Sequence, residues 1–321
     1  MLFEKKVIDI YKNIAFVRCD DKGTAYYFSA DDFAELENTP YSFVSSKGYK
    51  LQGQFYNYPS SAEGRLIVFD HGFGGGHRSY MKEIEKLCSM GYRVFAYDHT
   101  GCMESEGESA GGLSQSLCDL NDCITALKND GYFKNNKVSV IGHSWGGFST
   151  MNISALHPEI SSVVVMSGFV SVGRMVSSFF PSVLKIYKKS IMAIEKESNP
   201  VFADVDGIES LKKSKSEILL IYSDNDPIVK KKDTYDILYN EFKDYSNISF
   251  HLETNKWHNP NYTEDAVKYK DEYVAKLNAK NKRKELETEK AKSDFKASFD
   301  WNRMTVQDDK VWDIISDFLN K

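Results

Sequence analysis

The stretch "VSVIGHSWGGFS", residues 138–149, runs from β-branched residues into a serine between two glycines, and then into small residues typical of a helix start. A strand that turns sharply into a helix can hold one side chain exposed at the carboxyl edge of a parallel sheet. Because Gly142 and Gly146 have no Cβ, the strand and the helix can approach each other around Ser144, whose backbone we expect to be strained. The N–H groups of a helix that begins near Trp145 would favour negative charge there. The stretch therefore predicts a nucleophile at Ser144.

The chain around this stretch alternates strand patterns with helical patterns. Apolar runs typical of buried strands are "RLIVFD", "YRVFAYD", "KVSVIG", "SSVVVMSGF", "EILLIYSD" and "NISFHLETN". Helical patterns such as "YMKEIEKLCSMG" separate several of them, and "YSFVSSKGYKLQGQFYNYP" predicts two further strands joined through Gly48. Strands that are apolar on both faces and alternate with helices indicate a sheet covered on both sides. The predicted fold class is α/β, with a mostly parallel central sheet, helices on both faces and a helical cap.

Four segments make up the predicted domain organisation. They are an N-terminal appendage over residues 1–40, with possible strands in "VIDIYKNIAFVRC" and "TAYYFSA", a first core part over 41–169, a helical cap over 170–213 and a second core part over 214–321. The cap is predicted because residues 170–213 are too long for a simple crossover and carry helical patterns broken at Pro181 and Pro200. Residues of about 263–303 are dominated by Lys and Glu and predict a solvated helical excursion, or alternatively a partner-binding helix.

Composition limits the classes of partner. The 321 residues carry a formal net charge of −5, so no basic field favours nucleic acid or an anionic membrane. No run approaches the roughly 20 apolar residues that cross a bilayer, and the N-terminus does not resemble a signal peptide. Five cysteines without metal-type spacing favour reduced thiols in a cytoplasm, with a Cys118/Cys123 redox pair as the weaker alternative. We therefore expect a cytoplasmic protein that acts on a small molecule.

Several motifs together resemble those of the α/β-hydrolase superfamily, in particular bacterial esterases, lipases and peptidase-like enzymes with an inserted cap. "GHSWGG" is similar to the nucleophile elbow, "DHGFGGG" to the oxyanion loop, "SDNDPIV" to the acid turn and "NKWHNP" to the histidine loop. The resemblance covers roughly residues 41–260 and the final helix. The family order of nucleophile, acid and base implies Ser144, Asp226 and His258. It also implies that the backbone N–H of Phe73 joins that of Trp145 in an oxyanion hole.

The chemistry of the side chains agrees with these roles. A serine hydroxyl needs an imidazole to accept its proton, and the imidazole needs a carboxylate to fix its tautomer. His258 and Asp226 each follow a predicted strand, so both are expected at the carboxyl edge of the sheet. His251 is the fallback base, and Asp224 competes for the acid role.

Two other kinds of site are weighed against this one. The glycines after "RLIVFD" could form a dinucleotide-binding loop with Asp98 as the ribose ligand, but G-x-G-x-x-G counted from Gly72 requires a glycine where His77 stands. A metal site at His71, His77 and His99 lacks the usual ligand spacing. We expect neither a cofactor nor a metal.

The predicted function is hydrolysis of a carboxylic ester by a serine hydrolase through an acyl-enzyme. A peptidase, an amidase or an acyltransferase could use the same three residues, and a catalytically silent protein that binds a small ligand is the more distant alternative. Apolar residues of the predicted cap are expected to contact the substrate, namely Met175, Phe179, Phe180 and Tyr187.

Overall fold

The computed structural model describes residues 2–179 and 186–321, and eight strands in that part form one sheet. The strands are β1 Glu37–Val44, β2 Lys50–Asn57, β3 Arg65–Asp70, β4 Arg93–Tyr97, β5 Lys137–His143, β6 Ser162–Met166, β7 Glu217–Ser223 and β8 Ile248–Glu253. Their order across the sheet is β1-β2-β4-β3-β5-β6-β7-β8. β1 and β2 form an antiparallel hairpin, β2 is antiparallel to β4, and the other pairs are parallel. The predicted, mostly parallel sheet is confirmed.

Helices cover both faces of this sheet. They are α1 Leu2–Ala15, α2 Met81–Ser89, α3 Gln115–Asn129, α4 Trp145–Ile153, α5 Val172–Phe179, α6 Lys188–Ser198, α7 Gly207–Lys213, α8 Tyr235–Phe242, α9 Glu264–Lys282, α10 Glu289–Ala297, α11 Trp301–Met304 and α12 Asp309–Leu319. Alternate residues of each central strand enter different cores: Val68 and Val140 belong to the core that includes α3 and α8, whereas Ile67 and Ile141 belong to the core that includes α2 and α12. Burial of both faces explains the continuous apolar runs in the sequence.

The N-terminal segment corrects one prediction. Residues 2–15 form the helix α1 rather than a strand, and "TAYYFSA" contributes no strand to the described sheet. Val7, Tyr11 and Ala15 lie four residues apart and form one buried stripe on α1. The β-branched residues of this segment favoured a strand interpretation, but tertiary packing decides the conformation. β1 begins at Glu37, four residues before the predicted start of the core.

The Lys- and Glu-rich segment is helical, as predicted, but it also has a small core of its own. Tyr273 of α9 is buried with side chains from α10 and the following turn, including Phe295 and Phe299. The Tyr273 hydroxyl donates to the carbonyl of Thr24 at 3.3 Å. The segment therefore packs against the N-terminal part of the chain instead of being wholly solvated.

The segment between β6 and β7 contains α5, α6 and α7. Glu195 of α6 is fully buried and accepts hydrogen bonds from the Tyr11 hydroxyl, from the backbone N–H of Leu113 at 2.8 Å and from the Ser114 hydroxyl at 2.6 Å. One carboxylate thus joins this segment to α1 and to the loop before α3. Within the described ranges, no helix is both long and apolar enough to cross a membrane.

Candidate active site

Ser144 occupies the turn between β5 and α4 with φ +58° and ψ −110°. A non-glycine residue rarely adopts positive φ, so the expected backbone strain is confirmed. A Cβ on Gly146 would overlap the Asp70 backbone, and one on Gly142 would overlap the Gly146 backbone. The two glycines are therefore required for the close approach of β3, β5 and α4 that holds the serine in this conformation.

Ser144, His258 and Asp226 lie in one hydrogen-bonded row. His258 Nε2 is 2.8 Å from Ser144 Oγ, and His258 Nδ1 is 2.7 Å from Asp226 Oδ2. The other carboxylate oxygen, Asp226 Oδ1, accepts the backbone N–H groups of Ile228 at 2.8 Å and Val229 at 2.9 Å. Because the carboxylate accepts the proton on Nδ1, Nε2 is free to accept the serine proton.

The competing residues lie elsewhere. His251 Nε2 is 2.6 Å from Glu253 Oε1 on β8. Asp224 is exposed, and its Oδ1 accepts the backbone N–H of Asn255 at 3.0 Å. Neither the fallback base nor the competing acid joins the row that ends at Ser144.

The glycine loop after β3 lies against the candidate nucleophile. A Cβ built on Gly72 would be 3.4 Å from the Ser144 Cβ, and the next residue, Phe73, packs edge-to-face on Trp145 with 5.0 Å between ring centroids. Trp145 is the first residue of α4, where a backbone N–H has no acceptor within the helix. Both residues predicted to supply oxyanion donors thus lie beside Ser144.

A network that sequence reasoning missed connects these parts. The Gly72 N–H donates to the Tyr80 hydroxyl at 3.1 Å, and that hydroxyl is 2.9 Å from His143 Nδ1. His143 Nε2 donates to the backbone carbonyl of His258 at 2.6 Å. Burial and the neighbouring His258 hold the pKa of His143 well below its usual value, so its ring is neutral. Its place directly before Ser144 was the signal available in the sequence.

His71 and His99 belong to a buried network behind the site. His99 lies 3.1 Å from Asp70 Oδ1 and 3.3 Å from Asp119 Oδ2. Burial alone would lower its pKa, but the two carboxylates raise the pKa of His99 to about 10. His71, next to this cation and fully buried, has a pKa lowered to about 3. Among the described residues, no group of His, Cys, Asp or Glu is arranged to hold a metal ion.

The dinucleotide alternative finds no support in this region. Asp98 Oδ1 accepts the backbone N–H of His77 at 2.8 Å and lies 2.7 Å from its Nδ1. This carboxylate is buried and fixes the glycine loop, so it is not placed to bind a ribose.

All five cysteines are buried and free, including Cys118 and Cys123.

A pocket of about 680 Å³ opens onto Ser144 and His258. Its walls are mostly apolar and come from several separate parts of the chain, including α1, α5, α9 and the loops after β3, β5, β7 and β8. Several wall residues at its mouth are large, apolar and solvent-exposed, including Ile14 of α1, Phe179 of α5 and Val274 of α9. The arrangement suits a substrate with an apolar portion.

The four residues predicted to contact the substrate differ in where they lie. Met175 and Phe179 line the pocket. Phe180 lies outside the described residues. Tyr187 is half-buried and packs against the main core instead of the pocket wall. It directly precedes α6, whose position is fixed by the hydrogen bonds of Glu195. The walls from α1 and α9 were not predicted; the signal available was the helical spacing of Ile10 with Ile14 and of Val267 with Val274.

Comparison with known proteins relates the chain to hydrolases. A sequence model of the family described as serine aminopeptidase S33 matches residues 61–205, which include Ser144 but end before Asp226 and His258. The chain is 35% identical over 124 residues to the AB hydrolase superfamily protein YfhM of Bacillus subtilis, covering 39% of the chain and 41% of that protein. It is 25% identical over 186 residues to a proline iminopeptidase of Saccharolobus solfataricus, covering 51% and 58%. The chain thus spans about half the length of these curated relatives.

Solved structures share the fold. The Pyrococcus furiosus esterase Pf2001 superposes with a TM-score of 0.59 at 19% identity, covering 84% of this chain and 98% of the esterase. The acetyl xylan esterase from Paenibacillus sp. R4 superposes with a TM-score of 0.56 at 15% identity, covering 86% and 92%. Identities this low show likeness of fold alone.

Proposed function

The chain belongs to the α/β-hydrolase superfamily, and from this premise we propose that it is a serine hydrolase that cleaves carboxylic esters through an acyl-enzyme. The observation that carries the proposal is the row from Ser144 Oγ through His258 to Asp226, with hydrogen bonds of 2.8 Å and 2.7 Å. The esterases that share the fold and the mostly apolar pocket support an ester as the substrate.

In the proposed reaction, Ser144 Oγ attacks the ester carbonyl while His258 Nε2 accepts its proton. Asp226 stabilises the resulting imidazolium, and the backbone N–H groups of Trp145 and Phe73 donate to the oxyanion. His258 then returns the proton to the leaving alcohol as the tetrahedral intermediate collapses to the acyl-enzyme. Water repeats the attack with His258 as base, which releases the acid and restores the serine hydroxyl.

Amide cleavage is the second candidate, and the match to the serine aminopeptidase family favours it. The same three residues could serve an amide, whose leaving amine must be protonated by His258. A panel of nitrophenyl esters and aminoacyl nitroanilides distinguishes the two, because the proposed esterase should show the higher kcat/KM on the esters.

Active-site labelling tests the proposed function directly. A fluorophosphonate probe is expected to modify Ser144, because His258 makes that hydroxyl nucleophilic. His258→Gln should label far more slowly although the serine is retained. His251→Gln is the matched control and should label at the wild-type rate, since His251 pairs with Glu253 on β8. Failure of the wild-type protein to label would contradict the proposal and favour a binding protein.

We further propose that residues 170–213 act as a cap that selects the acyl group. Met175 is buried in the pocket wall, and each substrate methylene buried there is worth about 0.8 kcal/mol, or roughly fourfold in kcat/KM. Met175→Ala and Phe179→Ala are expected to lower the preference for longer acyl chains over acetyl by several-fold. Ile186→Ala is the matched control, because Ile186 is exposed and lies outside the pocket wall. The measurement is kcat/KM for acetyl to octanoyl nitrophenyl esters, and identical profiles would refute selection by the cap.

A further inference from the structure

Lys270 of α9 is a charged group in an otherwise largely apolar pocket wall. Its Nζ donates to Asn259 Oδ1 at 3.1 Å and lies 5.0 Å above the centre of the Tyr262 ring. Among the described residues, no carboxylate lies within ion-pair distance of it. Lys256 in the adjacent loop is different, because its buried Nζ is bonded to the Asp308 carboxylate. Lys256 is thus paired with a carboxylate, whereas Lys270 is not paired with one in the described part of the chain.

The carboxylate that raises the pKa of Lys270 lies too far away to form an ion pair with it. Burial lowers the pKa of Lys270, and Glu83 acts in the opposite sense from beyond ion-pair distance. Glu83 is itself buried, accepts from Asn261 Nδ2 at 3.1 Å, and has its own pKa raised by that burial. No carboxylate of the described residues therefore pairs with Lys270 Nζ, which leaves this group to pair with a ligand in the pocket.

The position of Lys270 relates it to the reaction. Its hydrogen-bond acceptor, Asn259, directly follows His258 and also lines the pocket. Because Asn259 Oδ1 is occupied by Lys270, the Nδ2 of the same amide is a second donor beside the first. A substrate carboxylate bound by these donors would lie beside Asn259, the residue that directly follows His258, and His258 is hydrogen-bonded to Ser144.

Asp271 is a negative charge in the same pocket and opposes the binding of an anion at Lys270. It follows Lys270 on α9 and lines the same pocket. Its side chain makes no hydrogen bond or ion pair with a described residue, whereas Lys270 is fixed by Asn259 and by the Tyr262 ring. A fixed donor loses less conformational entropy on binding, so anion recognition at Lys270 is favoured over cation recognition at Asp271.

We propose that Lys270 binds a carboxylate of the substrate, so that the preferred ester carries a free carboxylate together with an apolar portion. The inference rests on the proposed hydrolase function and names its substrate class. It also gives α9, which lies outside the matched family region, a direct role in specificity.

The experiment compares matched esters with and without a carboxylate. Mono-nitrophenyl adipate against nitrophenyl hexanoate places the charge on the acyl side, and 4-acetoxybenzoate against its methyl ester places it on the alcohol side. The wild-type protein should prefer the charged ester in at least one pair, and Lys270→Met should lower that ratio of kcat/KM about tenfold, mainly through KM. Asp271→Asn should raise the ratio. Lys268→Met is the matched control, because Lys268 is exposed on the same helix and contacts Glu264.

The outcomes separate this inference from the proposed function. If the esters are cleaved and Lys270→Met leaves the ratio unchanged, carboxylate recognition is wrong while the hydrolase assignment stands. If no ester is cleaved, the hydrolase proposal fails, and calorimetric binding of 4-phenylbutyrate against 4-phenylbutyramide still tests Lys270. Equal binding of the two compounds, or equal binding by the wild-type and Lys270→Met proteins, would then overturn the inference.

Discussion

Ser144→Ala is expected to lower kcat/KM for ester hydrolysis by about four orders of magnitude or more, while the protein stays folded. The methyl group fits where the hydroxyl methylene stood, and the backbone conformation of the turn is unchanged. What is lost is the oxygen that bonds to His258 Nε2 at 2.8 Å and that is proposed to become acylated. The measurement is steady-state hydrolysis of nitrophenyl acetate, with circular dichroism to verify folding.

A second variant sharpens this test. His258→Gln should lose nearly as much activity, and the Ser144→Ala/His258→Gln double variant should be no worse than either single one. Residues that act as one unit show this non-additivity, since removing either leaves the other without a role. Losses that add on a logarithmic scale, or a Ser144→Ala protein with most of its activity, would contradict the assigned nucleophile.

Asp226→Asn is expected to lower kcat by about three to four orders of magnitude. Its Oδ1 accepts two backbone N–H groups, so an asparagine would keep its oxygen there and direct Nδ2 towards His258. The amide would then donate to His258 Nδ1 and leave the ring proton on Nε2, where it blocks acceptance of the serine proton.

Asp224→Asn provides the matched control for this change. Asp224 is exposed and accepts only from the Asn255 N–H, so the substitution should change kcat less than twofold. Equal losses in the two variants, or the larger loss at Asp224, would reassign the acid.

The sequence indicated the sheet and the elbow because their determinants are local. Continuous apolar runs are required for strands buried on both faces, and the glycines on either side of Ser144 are required by backbone contacts within a few residues. The edge of the sheet where Asp226 and His258 lie followed from strand order, since both residues are in loops after the neighbouring parallel strands β7 and β8. The choice of Asp226 over Asp224 rested on the resemblance of "SDNDPIV" to the acid turn of the family.

The pocket walls were not predictable in the same way because they depend on distant contacts. α1 has β-branched residues at positions that also suit a strand, and its helical state is stabilised by Tyr11 bonding to Glu195, 184 residues away. The role of His143 depends on the carbonyl of His258, a contact that spans 115 residues. In the sequence, Lys270 is indistinguishable from the other lysines of a charged helix. Its special position depends on its contacts with Asn259 and the Tyr262 ring, which only the fold brings together.

The positive φ of Ser144 has an evolutionary consequence. A non-glycine residue held in such a conformation costs roughly 1–3 kcal/mol, and the surrounding structure must over-determine it. Glycine at this position would relieve that cost, so the change that most directly stabilises the turn also removes the oxygen proposed as the nucleophile. Under the proposed function, mutations that only favour stability would lead to a pocket that binds its ligand without reacting, and selection for turnover would be needed to keep a serine in the elbow.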